Sequence, residues 1–166
     1  MSRRVISVLA FFAIGITLVV GFRALFPAPE TVIRRRLAEM ARLVSFAANE
    51  GPLAKLANPQ QLASYLSQNV EVSLDVPGRG QQTFSGREEL IQATTVARSQ
   101  LSALTVELPD VAVSVAADRQ TASADVTVKA NIGGQREAFI QELKITLEKK
   151  QGDWVVTRFE SSNTLK

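Results

Sequence analysis

Alternation of apolar and polar residues over the second half of the chain is the feature that most restricts its fold. Three successive segments carry an apolar side chain at almost every second position, a period that is typical of strands with one buried face. Each is too long for a simple turn, so the pattern predicts a meander of long strands. The apolar positions are Val111, Val113 and Val115, then Ala122, Ala124, Val126, Val128, Ala130 and Ile132, then Phe139, Leu143, Ile145 and Leu147.

Short turns between these segments predict how the strands pair. A turn at Asp118-Arg119 and a two-residue turn at Gly133-Gly134 both place the apolar faces of the strands that they join on the same side of the sheet. The partners expected from these turns are Val115 with Ala122, Val128 with Phe139, and Ala124 with Leu143.

A last strand, from residue 154 to about residue 163, has mixed faces and allows two registers. A two- or four-residue loop within residues 150–153 sets Val156 opposite Leu147. This register is favoured, and it turns Trp154, Val156, Arg158 and Glu160 inward. A three-residue loop would instead turn inward Val155, Thr157 and Phe159.

Three helices are predicted in the first two thirds of the chain. One covers residues 30–49 and is ended by Gly51-Pro52; a shorter one begins at Asn58-Pro59 and ends near Ser67; a third opens at the capping box Ser85-Gly86-Arg87-Glu88. The stripes expected to be buried are Ile33, Leu37, Met40, Val44 and Ala47 or Ala48 on the first helix, Leu62 and Leu66 on the second, and Leu90, Thr94, Ala97, Leu101 and Leu104 on the third.

A half-buried strand over residues 70–76 precedes the third helix and turns into a short return strand through Phe84. Its apolar positions alternate with acidic and hydroxyl residues. By the same alternation Asp75, Asp125 and Glu142 face away from the core, where a solvated carboxylate is a poor general base at neutral pH.

A membrane segment is predicted ahead of these elements. Residues 5–22 are uncharged, and the run continues to residue 26 past the lone Arg23, whose side chain can reach the headgroups. As a helix it would span about 27 to 33 Å. A cleaved signal peptide competes with this interpretation, but the run is long and no suitable cleavage site follows. The expected layout is a cytoplasmic tail at 1–4, a transmembrane helix (signal anchor) at 5–26, a linker at 27–29 and a domain at 30–166.

Orientation in the membrane is set by basic residues on both flanks. Arg3 and Arg4 compete with Arg23 and the run Arg34-Arg35-Arg36. We favour an amino terminus in the cytoplasm and an extracytoplasmic domain, in a single-pass protein of a bacterial inner (cytoplasmic) membrane. The arginine run either binds anionic lipid or a partner, or forms a solvated helix face.

Composition excludes several classes of function. The chain has no Cys and no His, which removes thiolate chemistry, imidazole metal ligands and the usual general base. Its net charge is +3, but Arg3, Arg4 and Arg23 account for three of the 19 basic residues, which leaves 16 against 16 acidic residues from Pro27 onward. A neutral domain argues against nucleic acid as a partner, and no cofactor or metal is expected.

The order of these elements resembles the NTF2-like superfamily, in particular its SnoaL-like branch. The resemblance covers about residues 30–163 and rests on the first helix, the strand 70–76, the helix start 85–90 and the turn Gln151-Gly152-Asp153-Trp154-Val155-Val156. It implies an α+β fold, a cone in which a curved antiparallel sheet wraps on about three helices, here preceded by one transmembrane helix. Members of the superfamily include isomerases, cyclases, dehydratases, transport factors and inert accessory domains, so the fold does not select a function.

Five residues are candidates for a ligand site in such a cone, and none has a clear catalytic role. Gln141 shares the phase of Phe139 and Leu143, and each candidate also has a purely structural alternative, since an amide or an aromatic ring can simply complete the core. A neighbouring Arg and Glu on one strand face can likewise pair with each other. The candidates are Tyr65, Gln141, Trp154, Arg158 and Glu160.

Three functions remain open at this point. The favoured one is a membrane-tethered, non-catalytic accessory domain that binds a protein or a small apolar or anionic ligand. The second is a structural subunit of a membrane complex, by analogy of architecture with the bitopic subunits of type IV secretion machines. The third is a SnoaL-like isomerase or dehydratase that uses Glu160 or Tyr65. The polar outer face expected for the sheet favours a monomer or a weak homodimer.

Overall fold

The computed structural model describes residues 28–76 and 80–162, and it contains three α-helices, one 3₁₀ turn and six strands in that part of the chain. Two helices, a hairpin of two strands and a third helix precede a meander of four strands, which is an α+β arrangement. The elements are α1 (Pro29–Val44), α2 (Pro52–Leu62), the 3₁₀ turn Ala63–Tyr65, β1 (Leu66–Val76), β2 (Gly80–Ser85), α3 (Arg87–Gln100), β3 (Leu104–Val115), β4 (Thr121–Ile132), β5 (Phe139–Lys150) and β6 (Asp153–Ser161).

The six strands form one sheet in the order β2-β1-β6-β5-β4-β3. Strands β3 to β6 are the predicted antiparallel meander. The β1–β2 hairpin joins the far side of β6, and there β1 runs parallel to β6. The sheet is therefore mixed, and the expectation of a wholly antiparallel sheet was wrong at this one pair. The long stretch from β1 to β6 supplies the crossover that a parallel pair requires.

The hairpin turns confirm the predicted faces, with one slip of register. Val115 lies opposite Ala122 as expected, since the chain turns at residues 116–120. Val128 pairs with Gln141 instead of Phe139, because the β4–β5 loop is longer than the two-residue turn at Gly133-Gly134. The slip is two residues, and a shift of two keeps every side chain on its face.

A β-bulge at Thr157 explains the mixed faces of the last strand. Val156 pairs with Leu147, which confirms the favoured register, but Arg158 then pairs with Thr146 and leaves Thr157 without a partner. The extra residue reverses the alternation. Trp154 and Val156 therefore face inward, Phe159 also packs against the core, and Arg158 and Glu160 lie on the outer face, opposite to the orientation expected for them.

The helix boundaries differ from the sequence prediction at the first two helices. Helix α1 ends at Val44, five residues early, because the chain becomes extended at Ser45 and Phe46 forms a bridge with Leu104 at the edge of the sheet. The predicted terminator Gly51-Pro52 in fact begins α2, with Pro52 in the first turn, where its missing N–H costs nothing. Pro59 lies inside that helix.

The core lies between α1 and the inner face of the sheet. Ile33, Leu37 and Met40 are buried as predicted, and they pack on alternate residues of the strands. The pairing of β3 is interrupted near Leu108-Pro109 and that of β6 at Thr157, and bulges of this kind bend a strand. The inner strand residues of the core are Leu66, Val70, Val72, Ala122, Ala124, Val126, Ile145, Leu147, Trp154 and Val156.

The predicted membrane segment at residues 5–26 lies outside the described residues. Within residues 28–76 and 80–162, no helix combines the length and the apolar character needed to cross a bilayer.

Candidate functional site

An apolar cavity of about 280 Å³ lies inside the cone, between α1, α3 and the inner face of the sheet. Its walls follow from the stripes described above, because each element turns its apolar side toward the same space. Among the lining residues are Leu37, Met40, Ala41 and Val44 of α1, Leu90 and Thr94 of α3, and Val72, Leu74, Leu108, Val128, Leu143 and Phe159 of the sheet.

Polar groups contribute almost nothing to the surface of this cavity. Thr94 carries the one hydroxyl among the lining residues, and its Oγ1 donates to the carbonyl of Leu90 at 2.9 Å. No Asp, Glu, Lys, Arg or Tyr is among the residues that line it. The cavity can therefore bind a molecule by removing apolar surface from water, but its described walls offer no acid or base for proton transfer.

Gln141 lies on the inner face of β5, where its phase placed it, but beyond the cavity lining. Its Nε2 donates to the carbonyl of Asp75 at 2.9 Å and to Oγ of Ser161 at 2.5 Å. The amide thus closes the end of the sheet between β1 and β5. Gln141 therefore has a purely structural role, and its amide is not a contact for a ligand in the cavity.

Arg158 and Glu160 lie together on the outer face of the sheet, with side chains 48% and 43% exposed. Arg158 contacts both Glu160 (3.2 Å) and Glu71, its neighbour on β1. The three charges form a row across strands β1 and β6, and none of them reaches the cavity. An ion pair this exposed contributes at most about 1 kcal/mol.

Tyr65 lies in the 3₁₀ turn beside α1 and is not among the residues that line the cavity. Its hydroxyl donates to Glu39 at 2.9 Å, and the guanidinium of Arg36 stacks over its ring at 5.0 Å from the centroid. Burial, and then the hydrogen bond to Glu39 and its negative charge, raise the pKa of the Tyr65 hydroxyl. Arg36 also pairs with Asp153 at 2.9 Å, which connects α1 to the start of β6.

Trp154, the fifth candidate, is 4% exposed and belongs to the core. It does not line the cavity. The structure therefore brings Arg158 and Glu160 together on the outer face and leaves Tyr65, Gln141 and Trp154 at separate places in the cone.

The three arginines of the run in α1 have different roles: two contact the sheet and one faces solvent. Arg34 donates to the backbone carbonyl of Val111 on the edge strand β3, and Arg36 makes the contacts to Tyr65 and Asp153. Arg35 is exposed. Arg34 and Arg36 thus hold α1 against the sheet, and only Arg35 belongs to the solvated helix face that the sequence suggested.

A buried cation that the sequence did not reveal joins α3 to α1. Arg98 is the buried residue of α3; it donates to Glu50 at 2.5 Å, to the carbonyl of Leu43 at 2.5 Å and to that of Ser45 at 3.1 Å. The guanidinium also stacks over Phe46, 4.9 Å from the ring centroid. It satisfies carbonyls at the end of α1 that have no partner within the helix. The helix that covers the cavity is therefore fastened by a polar contact one turn beyond Thr94.

The described residues contain no group of three His, Cys, Asp or Glu side chains that could hold a metal ion.

Comparisons with known proteins bear on the fold. No protein-family model matches the chain, and no curated protein matches it. An NTF2-like protein of unknown function from Pseudomonas putida KT2440 aligns over 82% of this chain and 87% of its own, with a TM-score of 0.63 and 12% identity. A candidate scytalone dehydratase from Novosphingobium aromaticivorans DSM 12444 aligns over 90% of this chain and 87% of its own, with a TM-score of 0.59 and 17% identity.

A third solved structure, a candidate aromatic ring hydroxylase from Novosphingobium aromaticivorans, aligns over 82% of this chain and 90% of its own, with a TM-score of 0.63 and 15% identity. The element order, the cone and these similarities together show that the chain has the NTF2-like fold. At such identities the likeness extends to the fold and not to the activity of these proteins.

Proposed function

We propose that this chain is a non-catalytic binding domain of the SnoaL-like branch that holds a small apolar molecule inside its cone. The observation that carries the proposal is the wall of the cavity, which consists of aliphatic side chains, Phe159 and one Thr whose hydroxyl is already bonded. A ligand in this space would contact almost only apolar side chains along the walls and would find almost no partner for a polar group. The cost of removing polar groups from water therefore disfavours polar ligands.

The size of the cavity supports a ligand of about two fused rings. An apolar cavity of about 150 Å³ is known to accommodate benzene. The space in this cone is about 280 Å³. Naphthalene is therefore a suitable probe.

The same observation counts against an enzyme of the dehydratase or isomerase kind. Such chemistry needs an acid or base at the ligand, whereas Glu160 is turned to the outer face by the bulge and Tyr65 donates to Glu39 outside the cavity. The two structural neighbours from Novosphingobium are named as a dehydratase and a hydroxylase, which are enzymes. In this chain the apolar lining of the cavity supports binding without catalysis.

We further propose that residues 5–26 tether the domain to a bacterial inner membrane, with the domain outside the cytoplasm. The support is the uncharged run at 5–22, and helix α1 begins at Pro29 directly after the linker. A membrane is also a source of apolar molecules. The outer face of the sheet carries many carboxylates, among them Glu71, Asp75 and Asp125, so we propose a monomer or a weak homodimer.

Native mass spectrometry of the full chain released from lipid nanodiscs tests the binding function. We expect an additional small mass on the protein, either co-purified or acquired from added naphthalene. The variant Val128→Phe places a ring in the cavity and should abolish the additional mass.

The neighbouring variant Thr127→Phe is the matched control, because Thr127 lies on the outer face of the same strand. It should bind naphthalene as the original chain does. Equal binding by both variants, or no added mass on any of them, would refute the proposal.

A further inference from the structure

A polar cleft of about 620 Å³ lies on the outer face of the sheet, opposite the apolar cavity. It forms because β6 ends at Ser161, whereas its neighbours β1 and β5 continue on either side. We call this place the outer notch. It is lined by Ser73, Asp75, Gln81, Lys144, Glu160, Ser161 and Ser162.

Side chains of β5 and β6 bond to the backbone of Asp75 beside the outer notch. The N–H of Asp75 donates to Oγ of Ser161 at 2.8 Å, and the carbonyl of Asp75 accepts from Nε2 of Gln141. Both backbone groups of Asp75 are thus satisfied by side chains.

Two opposite charges facing the outer notch have no partner among the described residues. Lys144 makes no ion pair or hydrogen bond there, although Glu160 lies beside it on β6. The carboxylate of Asp75 is likewise without a partner, since only the backbone of this residue is bonded. Glu160 itself is held by Arg158 through Oε1, at 3.2 Å.

The two unpartnered charges lie on β5 and β1, with β6 between them. Lys144, Glu160 and Ser73 are register partners on three neighbouring strands, so the row spans about 10 Å. Asp75 lies two residues farther along β1, on the same face. Between the ammonium of Lys144 and the carboxylate of Asp75, hydroxyl and amide groups offer further hydrogen bonds.

We infer that the outer notch binds a small zwitterion of the dipeptide class. Its carboxylate would lie against Lys144, and its ammonium would lie between Glu160 and Asp75. The arrangement complements both charges of the ligand, and neither a simple anion nor a simple amine would use all three residues. This site is separate from the apolar cavity and does not depend on the function proposed for it.

Ligand-observed saturation-transfer NMR on the full chain in lipid nanodiscs tests the inference. The probe is glycylglycine, compared with N-acetylglycylglycine, which lacks the ammonium, and with glycylglycinamide, which lacks the carboxylate. Because the contacts are exposed, we expect a dissociation constant in the millimolar range, and loss of either charge should weaken binding about fivefold.

Two variants test which residue binds the carboxylate of the peptide and which binds its ammonium. In Lys144→Gln the preference for glycylglycine over glycylglycinamide should disappear; in Asp75→Asn the preference over the acetylated peptide should disappear. Lys129→Gln is the control, since Lys129 lies on the same face but outside the notch, paired with Glu107. It should bind as the original chain does.

Three results would overturn the inference: no saturation transfer to glycylglycine, equal affinity for all three peptides, or preferences that survive both notch variants. Thermal unfolding of each variant shows whether it is folded. Both residues are exposed, so the variants are expected to fold.

Discussion

Removal of the buried Arg98 guanidinium should destabilise the fold more than any other single charge removal at a described residue. Arg98 and Glu50 have side chains 4% and 12% exposed and are 2.5 Å apart. Arg98→Met leaves the Glu50 carboxylate buried without its counter-charge and the carbonyl of Leu43 without a donor. Breaking a buried pair in this way costs about 3 to 5 kcal/mol. Glu50 still accepts from Asn58 at 3.0 Å, which places the expected loss near 3 kcal/mol.

A double variant distinguishes the cost of leaving Glu50 as an unpaired buried charge from the cost of losing the contacts of Arg98. Arg98→Met combined with Glu50→Leu removes both charges, and a buried pair replaced by apolar residues is often neutral. We expect the double variant to recover about 2 kcal/mol relative to Arg98→Met. Arg35→Met, on the exposed side of α1, is the control and should change the free energy of unfolding by less than about 0.5 kcal/mol.

Urea unfolding of the full chain, followed by tryptophan fluorescence, measures these differences. Trp154 is the single tryptophan of the chain and is buried in the core, so it reports loss of the domain directly. A loss below about 1 kcal/mol for Arg98→Met would refute the reasoning. A double variant that is less stable than Arg98→Met would refute it as well.

Three further predictions follow from the structure. Deletion of Thr157 removes the extra residue of β6 and leaves Trp154, Val156 and Phe159 on the core face at a strict period of two, so the chain should lose less than about 1 kcal/mol in urea unfolding. A loss of about 3 kcal/mol or more, the cost of removing a large side chain from the core, would contradict this interpretation of the bulge. Backbone N–H groups of residues 120 and 121 lower the pKa of Asp118. The stability that its carboxylate supplies is therefore present above the pKa of the unfolded chain and is lost as pH falls through the lowered value. In thermal unfolding at several pH values, Asp118→Ala should lose less stability on acidification than the original chain, and an unchanged profile would contradict this. The raised pKa of Tyr65 acts at the alkaline end: the stability that the protonated hydroxyl supplies is full below about pH 10 and is lost as pH rises through the raised value. Tyr65→Phe should therefore lose less stability than the original chain between neutral and alkaline pH in thermal unfolding, and an equal loss in both would contradict this.

The faces of the meander could be predicted from the sequence because a strand repeats every two residues. The error at the β4–β5 turn shows this: Val128 pairs with Gln141 and not with Phe139, yet both partners lie on the inner face. Only a slip of one residue would have exchanged the faces. Alternation therefore predicts a surface reliably even when the loop length is wrong.

The last strand shows where the same reasoning fails. Trp154 and Phe159 are both large and apolar but differ in parity, so no uninterrupted strand can bury both. The two registers derived from loop length each explained one half of β6, and the bulge at Thr157 reconciles them. A mixed pattern of this kind is itself a signal for a bulge, and it would have placed Phe159 in the cavity wall and Arg158 outside.

The candidate site was harder to predict than the fold because its wall contains no polar or charged motif that a sequence would reveal. The cavity wall is made instead by the apolar stripes of α1 and α3 and by Leu74, Val128 and Leu143. The burial of Arg98 could not be predicted, since its partners on α1 and at Glu50 are 48 or more residues away in the chain. Long-range contacts of this kind leave no local pattern.

The most direct test of the central claim is an intermolecular NOE experiment on the methyl-labelled full chain in nanodiscs with naphthalene. The account predicts contacts from the naphthalene protons to the methyl groups of Leu74, Val128 and Leu143. In Val128→Phe, which has no methyl group at this position, the contacts to Leu74 and Leu143 should be lost. NOEs to lipid alone, or to methyl groups on the outside of the cone, would contradict the claim that the cone holds an apolar ligand.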